Sequence, residues 1–172
     1  MRDAALLGAR LLLGGYMCIH ASQKLWGKFH GPGLDTIGKV FEKNGLAPGR
    51  EMAMAAAATE ITGGVLTAAG IADPAGPLAI MGAMSVAAGH NREGGLMAAR
   101  NGVELPVAYA TLALALAAAG PGKYKLGPAL PKPLATLGAI AGMIGAGALI
   151  AKMVTSKSAP PEPVTEPTAA AD

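Results

Sequence analysis

Long apolar runs separated by short polar breaks dominate the chain, and they predict helices. Each run is roughly 20 residues long, which is the length of helix that crosses the hydrocarbon core of a bilayer. The runs lack the polar face that a helix on the surface of a soluble protein needs. The predicted spans are residues 4–22, 51–71, 74–90, 101–120 and 133–153.

The segment at about 23–50, between the first two spans, has a different pattern. The sequence Gly31-Pro32-Gly33 breaks it, and apolar residues then recur at helical spacing among charged ones. These apolar residues are Leu34, Ile37, Val40 and Phe41. The pattern predicts a short amphipathic helix that lies on the membrane surface.

Composition supports burial in lipid. Of the 172 residues 52% are hydrophobic and only 15% are charged, and the mean hydropathy is +0.41. Ala and Gly are abundant, and such small residues let helices pack closely inside a bilayer. The predicted fold class is therefore all-α, a polytopic transmembrane helical bundle.

Charge and cysteine content exclude several function classes. The 14 Lys+Arg and 11 Asp+Glu are scattered over loops without interleaved aromatic residues, so no nucleic-acid surface is expected. The lone Cys18 allows neither an intrachain disulfide nor a multi-thiolate site. The three histidines lie on separate segments, so no metal site is predicted.

The distribution of Lys and Arg predicts the orientation, because cytoplasmic loops are enriched in them. With five spans, one side has Lys24, Lys28, Lys39, Lys43, Arg50, Arg92, Arg100, Lys152 and Lys157. The other side has Arg2, Lys123, Lys125 and Lys132. We therefore expect a multi-pass protein of the cell membrane with an outside N-terminus and a cytoplasmic C-terminal tail.

Ionisable residues inside the spans mark candidate sites, since a charge that faces lipid is costly. Glu60 lies about 15 Å along its helix from the Arg50 end. The other candidates lie near the same membrane side, and Gln23 and Lys24 follow His20 by one helical turn. The predicted buried polar cluster comprises His20, Gln23, Lys24, Glu60, His90 and Glu104.

Two interpretations of this cluster stay open. It is a quinone or proton site, or it is an interhelical hydrogen bond or ion pair that fixes the bundle. The structural role is favoured for Glu104, and Lys24 is expected to extend its ammonium towards the headgroups. Arg10 is expected to pair with Asp3 near the outer surface.

Several short motifs occur in a fixed order along the chain. They are His20-Ala-Ser-Gln23-Lys24-Leu25, Gly45-Leu46-Ala47-Pro48, Glu60-Ile-Thr-Gly63-Gly64, Glu104, and Gly120-Pro121-Gly122-Lys123-Tyr124-Lys125-Leu126. In this order the set resembles the DoxX family of small membrane proteins over about residues 4–126.

The resemblance implies a four-helix membrane core at residues 1–126, which includes the surface segment. The family is named after a subunit of an archaeal thiosulfate:quinone oxidoreductase, and many members have no established activity. The chain departs from the family pattern by adding a loop and a fifth span at 127–155. A Pro-rich acidic tail at 156–172 follows and is predicted to be disordered, because it has nothing to bury.

The resemblance and the residues leave three functions open. The first is a subunit that anchors or stabilises a larger membrane assembly without catalysis of its own. The second is a redox-associated subunit that binds quinone or relays protons beside a partner that carries the redox cofactor. The third is a small transporter or membrane chaperone. We expect no intrinsic cofactor, with quinone as the candidate ligand, and as partners the lipid bilayer and other membrane subunits or a second copy.

Overall fold

The computed structural model describes residues 1–158, and all regular structure in this part of the chain is helical. The six α-helices are α1 (Arg2–Trp26), α2 (Leu34–Lys43), α3 (Gly49–Ala69), α4 (Ala75–Asn91), α5 (Glu104–Ala119) and α6 (Lys132–Ser158). This confirms the predicted all-α class. Five of the helices coincide with the predicted spans, and α2 coincides with the predicted amphipathic helix.

Glycines end two of the helices that matter for the site. Gly27 follows α1 with φ +64°, and Gly70 follows α3 with φ +65°. A residue without a Cβ adopts this left-handed conformation at little cost, so the chain can leave the helix there. Helix α1 ends at Trp26, just before Gly27, and so extends beyond the predicted end at residue 22. Gln23 and Lys24 are therefore helical.

Four helices form an antiparallel core. α1 packs against α3 and α5, and α4 packs against α3 and α5, so that the four helices close a ring. The buried centre of this ring consists of Leu13, Met17, Ile80, Met84, Ala113 and Leu116. α2 packs mainly against α3, and α6 packs mainly against α4. The result matches the predicted four-helix core with a fifth long helix added.

The bundle has two ends, which we call the first and the second. Helices α1, α4 and α6 begin at the first end, and α3 and α5 end there. Helix α1 ends at the second end, where α2 is also located. Among the residues that the structure describes, three helices are long and apolar enough to cross a membrane: Arg2–Trp26, Gly49–Ala69 and Lys132–Ser156. α4 and α5 have 17 and 16 residues, so they are shorter than the roughly 20 residues typical of a span. The membrane-bundle class is confirmed, and the number of spans stays a prediction.

One connection and the end of the last helix differ in detail from the sequence prediction. The polar hairpin between α4 and α5 contains two short 3-10 turns, Arg92–Gly94 and Ala98–Arg100. Helix α6 continues to Ser158, so the first three residues of the predicted tail belong to a helix. The rest of the predicted disordered tail lies outside the described residues.

Candidate functional site

An ion pair between α1 and α3 is the centre of the candidate site. The Lys24 Nζ lies 2.8 Å from both carboxylate oxygens of Glu60. Glu60 is 2% exposed, and the Lys24 side chain is 20% exposed. Because α1 and α3 run antiparallel in contact, Lys24 near the end of α1 meets Glu60 in the middle of α3. The prediction that Lys24 extends towards the headgroups was wrong.

Aromatic residues lie beside this pair. His20 is one helical turn before Lys24 on α1, and its ring meets the ring of Tyr109 edge-on, with centroids 5.7 Å apart. Tyr109 also contacts Tyr16, with centroids 5.8 Å apart. Tyr109 comes from α5 and was absent from the predicted cluster. Its sequence signal was its rarity, since Tyr16 and Tyr109 are the only tyrosine, phenylalanine or tryptophan residues within the five predicted spans.

A cavity of about 490 Å³ opens from the ion pair into the bundle. Four of the six predicted residues line it, and these are His20, Lys24, Glu60 and His90. Further side chains of α3 and side chains of α2, α4, α5 and α6 supply the remaining walls, which are mostly apolar. This volume and this ratio of apolar wall to polar groups are typical of sites for small organic ligands.

The other two predicted cluster residues lie outside the cavity lining. Gln23 donates from Nε2 to the Phe29 carbonyl at 3.3 Å and so supports the turn that follows α1. Glu104 is exposed, and its Oε2 accepts a hydrogen bond from the Ala98 N–H at 2.9 Å. Its contact is with the hairpin before α5, as its favoured structural role requires.

A groove between α4 and α6 adjoins the cavity. This groove measures about 460 Å³, and five residues line both spaces: Leu78, Ala79, Gly82, Gly142 and Ala146. A Cβ added at Gly82 or Gly142 would meet no atom within 4 Å, so both glycines face open space. An elongated molecule can therefore occupy both spaces, with one end at Lys24.

The candidate ligand determines which residues matter chemically. A quinone head needs hydrogen-bond donors at its carbonyl oxygens, and the Lys24 ammonium and the His20 imidazole are donors on the cavity wall. Within residues 1–158, no group of three His, Cys, Asp or Glu side chains is arranged to hold a metal ion.

A second buried charge lies at the first end of the bundle. Arg10 is 2% exposed and donates to four backbone carbonyls, those of Thr67 and Ala68 at the end of α3 and those of Pro121 and Tyr124 in the loop after α5. Asp3 accepts from the Lys123 N–H at 3.1 Å. The predicted pair of Arg10 with Asp3 was therefore wrong, because carbonyls at the ends of two other helices satisfy the guanidinium.

Asp73, in the turn between α3 and α4, belongs to the same region. It is 8% exposed. Burial raises the pKa of its carboxyl, and the nearby positive charges of Arg10 and Lys125 offset part of that effect. Arg10 and its acceptors form a structural junction at the first end, separate from the cavity at the second.

The fold and the cavity define a small helical membrane protein with an ion pair inside its bundle. The family model for DoxX matches residues 5–91, and this match covers half of the chain, so the protein belongs to the DoxX family. The match contains α1 to α4 and with them His20, Lys24, Glu60 and His90; Tyr109 and α6 lie beyond it. No curated protein and no solved structure matches the chain.

Proposed function

We propose that this protein binds a lipid-soluble, carbonyl-bearing molecule of the quinone class and acts as a redox-associated membrane subunit. One observation carries the proposal: the Lys24–Glu60 ion pair lies on the wall of a mostly apolar cavity, one helical turn from His20. A pair that served packing alone has no need of an adjoining ligand-sized space.

The side chains of the cavity suit the chemistry of a quinone head. The Lys24 ammonium donates to a carbonyl oxygen and favours the negative charge that develops there on reduction. His20 and Glu60 are groups that exchange protons, which the reduced oxygen must take up. In this proposal the electrons come from a redox cofactor on a partner chain, and the protein binds the head and supplies protons.

The shape of the two adjoining spaces supports a ligand with a tail. The groove between α4 and α6 is lined by Leu, Ala, Gly, Met and Ile with one serine, whereas the cavity is also lined by Lys24, Glu60 and the histidines His20 and His90. A polar head at Lys24 and an apolar tail between α4 and α6 would match both linings. A small water-soluble substrate would leave the groove without an occupant.

The orientation in the membrane is part of the proposal. We infer five spans with the second end, which has Lys24, Lys28 and α2, on the cytoplasmic side. The larger number of Lys and Arg on that side supports this orientation.

A second candidate function is anchoring of a larger assembly, and α6 favours it. Helix α6 packs mainly against α4, and its outer face exposes Leu137, Ile140 and Ile144. That face is available to another membrane subunit as well as to lipid. The two functions are compatible, because the anchoring face and the cavity lie on different sides of the helix.

The test compares the parent with the double substitution Lys24→Met/Glu60→Leu, which removes both charges and keeps apolar volume. Each is purified in mild detergent, reconstituted with ubiquinone or menaquinone, re-isolated and extracted with solvent. The parent is expected to retain quinone and the double variant to lose most of it. Equal quinone content in the two would overturn the proposal, and partner subunits retained by both would then favour anchoring.

A further inference from the structure

A second groove lies between α1 and α3, at the first end of the bundle. Its volume is about 850 Å³, and none of its lining residues lines the cavity at Lys24. It is therefore a different site, and nothing in the proposed quinone binding uses it.

Small residues create this groove. A Cβ added at Gly14 would lie 2.5 Å from the Gly64 carbonyl oxygen, so the two helices touch there and form a floor. Gly15 also lines the groove, but a Cβ on it would meet no atom within 4 Å. Its walls are apolar and include Leu7, Leu11 and Val65.

The groove has one charged end. Lys123 and Lys125 line it in the loop after α5, and both side chains are exposed. The loop is fixed because Arg10 donates to the Pro121 and Tyr124 carbonyls. In the described part of the chain, ion pairs join Lys24 to Glu60 and Arg50 to Asp35, so neither lysine belongs to one.

The length of the groove matches one leaflet of a bilayer. From Leu7 to Cys18, the α1 residues that mark its two extremes, the helix rises about 16 Å. Half of a hydrocarbon core of about 30 Å is about 15 Å. Both α1 and α3 are long and apolar enough to span a membrane, and in that arrangement the apolar length would face hydrocarbon and the lysines would lie at headgroup level.

We propose that this groove binds an anionic phospholipid. One acyl chain lies between α1 and α3 along Gly15, and the phosphate is held by Lys123 and Lys125. Electrostatic complementarity selects an anionic headgroup, and the match of groove length to leaflet thickness selects a lipid over a soluble phosphate. The bound lipid would link the loop after α5 to α1 and α3.

The headgroup half of the proposal is tested by native mass spectrometry of protein released from bilayers of equal phosphatidylglycerol and phosphatidylcholine. The parent is expected to retain phosphatidylglycerol preferentially. Lys123→Gln and Lys125→Gln should each weaken this retention about five-fold, since one lysine near an anionic surface contributes about that factor. Lys132→Gln is the matched control, because Lys132 lies at the same end outside the groove.

The acyl-chain half uses two glycines of α1. Gly15→Leu fills the groove and should reduce lipid retention as strongly as loss of a lysine. Gly8→Leu adds the same side chain on the same helix outside the groove, also with no atom near its Cβ, and should have no effect.

Three results would overturn the proposal. The first is equal retention of the two lipids by the parent. The second is an effect of Lys132→Gln as large as the effects of the two groove-lysine substitutions. The third is equal lipid retention by Gly15→Leu and Gly8→Leu. Displacement of the lipid by glycerol 3-phosphate at matched concentration would also overturn it, because the site would then recognise a soluble phosphate.

Discussion

The Lys24 ammonium holds both carboxylate oxygens of Glu60 at 2.8 Å, and the two residues come from the second-end part of α1 and the middle of α3. The ion pair therefore joins two antiparallel helices inside the bundle, where either charge without its partner would be destabilising. Breaking it by removing one partner leaves a charge in a low-dielectric interior, whereas removing both leaves none.

A double-mutant cycle on this pair separates stability from ligand binding. Lys24→Met and Glu60→Leu should each lower the free energy of unfolding by about 2 to 4 kcal/mol, because each leaves one buried charge unpaired. The double variant should lose much less than the sum. Thermal unfolding in detergent measures this, and additive losses would show that the two charges are not coupled in solution.

Glu60→Gln distinguishes a proton-handling role from a structural one. The amide keeps the shape and hydrogen-bonding capacity of the carboxyl but does not titrate. If Glu60 passes protons, the Gln variant should assemble normally and bind quinone but lose quinone-linked turnover in the complex. Turnover equal to that of the parent would restrict Glu60 to a structural role.

Substitution of Arg10 should weaken the first end of the bundle. Arg10→Lys cannot reach four carbonyls at once, and at a typical value of about 0.6 kcal/mol for each hydrogen bond inside a membrane it should cost about 2 kcal/mol. Arg2→Lys is the matched control, because Arg2 makes one exposed hydrogen bond to the Ala119 carbonyl. Equal melting temperatures for the two variants would contradict the role given to Arg10.

The raised pKa of Asp73 predicts a pH dependence of stability. A carboxyl whose pKa is higher in the folded than in the unfolded protein stabilises the fold below its ordinary pKa of 3.8, and this contribution is lost as pH rises through the folded value. The increase in melting temperature that Asp73→Asn causes should therefore be larger at pH 7 than at pH 4. An equal effect of Asp73→Asn at the two pH values would contradict this prediction.

The shared lining of cavity and groove predicts different effects for two glycines of α6. Gly142→Leu places a side chain where the two spaces meet and should reduce quinone loading. Gly145→Leu adds the same side chain outside both spaces and should not. Loading of a tailless quinone such as duroquinone, compared in the same variants, shows whether the tail or the head is obstructed.

The helices were predictable from sequence, but the partners of their charged residues were not. Run length and apolar content locate α1 and α3 because hydrophobicity is a local property. The Lys24–Glu60 contact depends on how far α1 continues beyond residue 22 and on the offset between two helices. Arg10 illustrates the same limit, since its acceptors are backbone carbonyls, which every residue has and no sequence pattern marks.

The four hydrogen bonds of Arg10 also impose an order on biogenesis. Two of its acceptors, Pro121 and Tyr124, follow it by 111 and 114 residues. While the ribosome is still making α3, α4 and α5, the guanidinium in α1 lacks these two acceptors. Arg10 therefore obtains its full set of hydrogen-bond acceptors only after the loop behind α5 has been synthesised.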